Sequence, residues 1–117
     1  MSCFWDGLRS KVHSLSKFKP SEVRAALQSA NVLTTSITFN GERLTGARLQ
    51  ENYDWVKNDT HPWNDGHDTS SGDPYLALVA ELFCVNINFN FAGHVQHIEH
   101  PKATSTVQFS SSRTHFS

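Results

Sequence analysis

The run 74–91 constrains this chain most. Asp73 followed by Pro74 reads as a helix N-cap and first helical position, and Leu76, Ala77, Val79, Ala80, Leu82 and Phe83 then make a helix apolar nearly all round. Such a helix belongs at the centre of a domain. Next, Val85, Ile87, Phe89 and Phe91 alternate with Asn86, Asn88 and Asn90, a period of two that predicts a strand with one buried face. A buried helix feeding a half-buried strand needs other helices around the first and other strands beside the second.

The remaining pattern supplies both. Phe4, Leu8, Val12 and Leu15 draw one helical stripe that starts at or just after Cys3. Pro20 stops that helix, and Ser21 caps a second whose inner face is Val23, Ala26, Leu27 and Ala30. Residues 34–39 are rich in β-branched side chains and close on Asn40-Gly41, which predicts a short extended piece and a turn. Leu49, Tyr53 and Val56 place a third helix over 45–57, with Glu51 and Lys57 facing water. After the 85–91 strand, Ala92-Gly93 turns the chain into an irregular strand over 94–99, carrying Val95 and a displaced Ile98. Pro101 breaks it, and 105–109 forms a further strand with Val107 and Phe109 on one side. The expectation is one α+β domain over residues 1–117, a helical N-terminal half packed on a small antiparallel sheet.

Composition narrows the function. With 117 residues the chain has room for a single core, and a net charge of -1 gives no electrostatic reason for a nucleic-acid or membrane partner. No apolar run approaches the length of a membrane-spanning helix, and the N-terminus lacks a signal-peptide pattern. Two cysteines, Cys3 and Cys84, are too few for a disulfide framework and favour a reducing, intracellular location. Residues 58–73 have no periodicity and much turn chemistry, and a polar loop of that length is often functional. A solvated surface loop is the plainer account, against which Trp63 stands as a side chain with something to cover or grip.

Candidate chemistry centres on the thiols and histidines. A hydrolytic cysteine must be a thiolate near neutral pH, against an ordinary pKa of about 8.5, and a helix N-terminus or a neighbouring imidazolium lowers it. Cys3 meets the first condition, while an ordinary exposed thiol near a chain end is the blander account. Cys84, at the end of the apolar helix, is expected to be inert packing or a residue of the helix-strand junction. His94, His97 and His100 resemble metal ligands by count. Their three-residue spacing suits a helix better than a strand, so solvent-facing histidines are the stronger reading. A zinc site would need Cys84, Cys3 or His67 as a further ligand. His61 and His67 sit in the polar loop and His13 on a helix surface. His115, behind a serine-rich turn and before Phe116, suits a sheet-edge histidine reaching toward a nucleophile, or else a disordered chain end.

Together these features resemble the ovarian-tumour class of papain-like cysteine proteases, particularly the compact versions in viral polyproteins. Cys3-Phe4-Trp5 resembles the second half of that family's nucleophile box. The segment from Pro74 through Phe83 looks like the helix before its core strands, Val85 to Phe89 like the first of them, and Thr106 to Phe109 with His115-Phe116 like the closing strand and catalytic histidine. The Trp63 loop resembles the segment preceding that helix. The sequence departs from the family pattern in two places: only Met1-Ser2 precede Cys3 where relatives carry Asp-Gly, and Ser117 stands where many carry an orienting Asp or Asn.

The resemblance implies Cys3 as nucleophile and His115 as general base, Ser117 in the orienting position, and Trp5, Trp63 and Phe116 at the substrate rim. It also implies hydrolysis of peptide or isopeptide bonds without a cofactor. The expected partner is ubiquitin, a ubiquitin-like modifier or a viral polyprotein junction, met by a monomer in the host-cell cytoplasm. The alternatives are a non-catalytic protein-binding module of the same fold and a small zinc-stabilised domain.

Overall fold

The computed structural model describes residues 3–59, 74–91 and 93–111; within them, the side chains of residues 3–6, 20, 91, 110 and 111 are left aside. Helix α1 (Cys3–Lys11) is followed by a 3₁₀ turn (His13–Leu15) and by α2 (Pro20–Ser29). A hairpin of β1 (Thr38–Phe39) and β2 (Glu42–Arg43) precedes α3 (Ala47–Asn58). Then come α4 (Pro74–Phe83), β3 (Asn86–Phe91), β4 (His94–Glu99) and β5 (Thr106–Ser111).

The α+β class holds, and α4 is central as its composition demands. Residues 75–80 are all buried, with α2 and α3 on one side and β3 and β4 on the other. The predicted stripe of the first helix does enter the core at Leu8, Val12 and Leu15, but Leu15 does so from the 3₁₀ turn, because α1 ends at Lys11. The Arg9 guanidinium holds this shape by donating to the Phe18 and Ser16 carbonyls. Ser21 is not the cap of α2. Lys19 holds that position in extended conformation, Pro20 takes the first helical position, where its missing N–H costs nothing, and Glu22 accepts from the Lys19 N–H at 2.9 Å. Val23 and Leu27 face inward as read, whereas Ala30 lies past the helix end and is exposed.

The sheet is mixed rather than antiparallel, in the order β2-β1-β4-β3-β5. β4 runs antiparallel to both β1 and β3, but β5 lies parallel to β3 in the register Ile87↔Val107 and Phe89↔Phe109. A parallel pair usually requires a helical crossover. Here β4 carries the chain back along the sheet, and residues 100–105 pass the end of β3 to start β5 on its far side. Phe89 and Phe109 thus sit side by side in the core.

β4 is also regular, contrary to expectation. Ile98 faces the core opposite Ile87, which sends Gln96 inward with it and leaves Val95 half exposed on the open face. The register is fixed by the three asparagines of β3. Asn86 Oδ1 accepts from the His100 N–H at 2.9 Å, Asn88 Oδ1 meets His97 Nδ1 at 2.8 Å, and Asn90 Oδ1 accepts from the Gly93 N–H at 3.0 Å. A one-residue slip would lose all three and expose Ile98.

The Asn40-Gly41 turn forms as read, with φ of 52° and 84°, the two left-handed residues that the tight hairpin turn matching strand twist requires. Asn40 also joins β4, its N–H donating to the His97 carbonyl at 2.7 Å and its Oδ1 accepting the His97 N–H at 2.8 Å. At the opposite edge the Asn86 N–H bonds the Ser105 carbonyl, so Thr106, Gln108 and Ser110 turn their backbone groups away from β3. The Lys11 ammonium takes the Gln108 carbonyl, placing a charge on the edge where another strand could otherwise pair.

Candidate functional site

Cys3 is the first residue of α1, as the sequence suggests, so its backbone lies where unpaired N–H groups favour negative charge. Helix α1 rests against β5. Besides its bond to Gln108, Lys11 Nζ lies 5.2 Å from the centroid of the Phe109 ring. β5 is the strand from which the chain continues toward His115, four residues beyond Ser111. His115, Phe116, Ser117 and Trp63 lie outside the described residues, as do the side chains of Cys3 and Trp5.

The segment 60–73 also lies outside them, but its two ends are described and are tied together. The phenol of Tyr75, wholly buried, donates to Asp59 Oδ2 at 2.6 Å, and the Trp55 ring meets the Tyr75 ring edge-on at 5.6 Å. Gln28 Nε2 donates to the Val56 and Asp59 carbonyls at 3.0 and 2.8 Å. The base of the Trp63 segment is thereby anchored to α2, α3 and α4.

Cys84 is at the helix-strand junction but is not packed. It is exposed and has φ of 52°, and the Val85 N–H reaches back to the Ala80 carbonyl at 3.4 Å. This is the left-handed C-terminal cap in which glycine is preferred. Cys84→Gly is therefore expected to raise stability by about 0.5–1 kcal/mol, since the relieved backbone cost exceeds the added chain entropy of glycine. A rise in the denaturant midpoint at unchanged slope is the measurement, and the variant leaves Cys3 as the one remaining thiol.

The three histidines of 94–100 do not converge. His94 and His97 fall on opposite faces of β4, and among the described residues no group of three His, Cys, Asp or Glu side chains is placed to hold a metal ion. Of the further ligands considered for zinc besides Cys84, the Cys3 side chain is among those left aside and His67 lies outside the described residues. His100 corrects the expectation of a solvent-facing ring, being 8% exposed. Its Nδ1 accepts the Lys102 N–H at 3.0 Å, so the ring proton is on Nε2, which faces Glu81 Oε2 at 3.4 Å. Glu81 Oε1 in turn accepts the Ser36 N–H at 2.8 Å. With both ring nitrogens engaged, His100 ties the loop after β4 to Glu81 and, through it, to Ser36. Helical periodicity marks Glu81 only as a polar residue late in an apolar helix, so the sequence carried no signal for this network.

No family model, curated protein or solved structure matches the chain. Among the described residues no helix is long and apolar enough to cross a membrane.

Proposed function

We propose that this protein is a viral cysteine protease with a papain-like fold of the ovarian-tumour type, hydrolysing peptide or isopeptide bonds. The observation that carries the reading is the packing of α1, which begins at Cys3, against β5, the strand that leads toward His115. Four residues of chain, which span at most about 14 Å, separate His115 from Ser111 at the end of β5.

In this reading His115 takes the Cys3 proton, and the thiolate attacks the scissile carbonyl carbon. Backbone N–H groups at the start of α1 favour the oxyanion that forms. Collapse of the tetrahedral species leaves a thioester on Cys3, while His115 returns the proton to the departing amine. Water, deprotonated by His115, then hydrolyses the thioester and regenerates the thiol. Ser117 stands two residues beyond the base, where a hydroxyl orients imidazole more weakly than a carboxylate, and Trp5, Trp63 and Phe116 supply the rim. The substrate is ubiquitin, a ubiquitin-like modifier or a polyprotein junction, encountered in the host cytoplasm.

Ubiquitin carrying a thiol-reactive group at its C-terminus tests this on the full chain. The expected result is a single adduct mapped by mass spectrometry to Cys3. An adduct on Cys84, or none, would overturn the assignment.

A further inference from the structure

The open face of the sheet carries a cleft of about 580 Å³ whose chemistry the protease reading does not use. Its walls are the 35–36 segment, the strands β1, β2 and β4, and the loop after β4. In one cross-strand row, Thr38 lies between Arg43 and Glu99, all three on the face away from the helices. The strand spacing puts the backbones of Arg43 and Glu99 about 10 Å apart.

The floor is rigid and the rim is unspent. Glu81 holds Ser36 and faces His100, while His100 is bonded through its own N–H to Asn86 and through its ring to the Lys102 N–H. Three chain segments are thus tied together around the cleft, with His100 and Asn86 among its lining. Among the described residues the Arg43 guanidinium, with five N–H groups, has one hydrogen-bond partner, the Thr35 carbonyl, to which Nη2 donates at 3.2 Å. The Glu99 carboxylate makes no hydrogen bond or ion pair among the described residues, and in particular none with Arg43. Between these poles lie the hydroxyls of Thr35, Ser36 and Thr38 and the Asn86 amide.

Those groups select among ligands. Among the described residues no Phe, Tyr or Trp lines the cleft, and its one ring, that of His100, is buried, so a sugar ring or a base finds little stacking surface. One guanidinium opposed by one carboxylate suits a phosphate poorly, since the anion meets repulsion from Glu99. A positive and a negative end separated by hydrogen-bonding backbone fit the row. We propose that the cleft binds a short zwitterionic peptide of two or three residues, its ammonium on Glu99 and its terminal carboxylate on Arg43. An extended peptide of that length places its ends about 7–10 Å apart, the same scale as the separation of the Arg43 and Glu99 backbones across Thr38. The proposal uses neither Cys3 nor His115 and stands whether or not they hydrolyse anything.

Triglycine titrated into the isotopically labelled full chain, followed by amide NMR, tests the proposal. Thr35, Ser36, Thr38, Arg43, Asn86 and Glu99 are expected to shift in the millimolar range. N-acetyl-triglycine and triglycine amide should each bind about fivefold more weakly, the scale of one exposed ion pair. Glu99→Gln should then erase the distinction between free and acetylated peptide but keep that between acid and amide, and Arg43→Gln should do the reverse. Both side chains are exposed, so the variants keep the fold, which their spectra verify directly. No shifts in these residues, or equal affinity for the blocked peptides, would overturn the assignment.

Discussion

Alanine at His115 is expected to slow substrate hydrolysis as much as alanine at Cys3, on the order of 10⁴-fold or more in either case, and the double variant should be no slower than the single ones. The equality follows from the chemistry, because without the base the thiol is not activated and without the thiol the base has nothing to activate. The fold should survive both changes. Helix α1 is anchored further along, by Leu8 in the core, by Arg9 on the 16–18 turn and by Lys11 on β5, none of which involves its first residue. Ser117→Ala should have a far smaller effect, because a serine hydroxyl orients an imidazole weakly. Steady-state rates in the Cys84→Gly background, with thermal unfolding alongside, provide the measurement. Additive losses in the double variant, or a Cys3→Ala protein that keeps its rate, would remove the dyad from the mechanism.

Where one face of an element is buried, the sequence located it well. The 74–83 helix was legible because apolar residues on all sides have only one place to go, and β3 because its alternation has one solution for which face turns inward. β4 was harder: Val95 and Gln96 compete for the core, and the outcome depends on Asn88 meeting His97 and Asn86 meeting the His100 N–H, neither of which is a local property. The parallel placement of β5 could not be read at all. The six residues between β4 and β5 would equally allow a hairpin, and the choice of β3 as neighbour comes from burying Phe109 beside Phe89. The same limit explains the candidate site. A helix start at Cys3 is a local pattern and was visible, whereas the packing of α1 on β5, seen where Lys11 meets Gln108 and Phe109, is set by the tertiary structure. The cleft was invisible because Arg43, Thr38 and Glu99 come from three strands and align only once the register is set.

Glu81→Ala should destabilise the domain by about 2–3 kcal/mol, read as a lower denaturant midpoint at unchanged slope. Glu81 is a single carboxylate serving two donors. One oxygen accepts the Ser36 N–H at 2.8 Å and the other faces His100 Nε2 at 3.4 Å, so the first contact carries most of the loss. The side chains of His100 and Glu81 are only 6% and 13% exposed, which leaves little access for water to replace the missing oxygens. Glu81→Gln separates the two contributions. Its amide oxygen can still accept from Ser36, but its amide nitrogen would then face the His100 Nε2 proton, donor against donor. His100 cannot relieve this by moving its proton to Nδ1, because that nitrogen already accepts the Lys102 N–H. The glutamine variant should therefore lose roughly half as much stability as alanine. It should also loosen the 100–103 loop more than the 34–36 segment, a difference that amide exchange at Lys102 and Ser36 resolves. A loss below about 0.5 kcal/mol for alanine would mean that solvent satisfies these groups and that the cleft floor is not held from beneath.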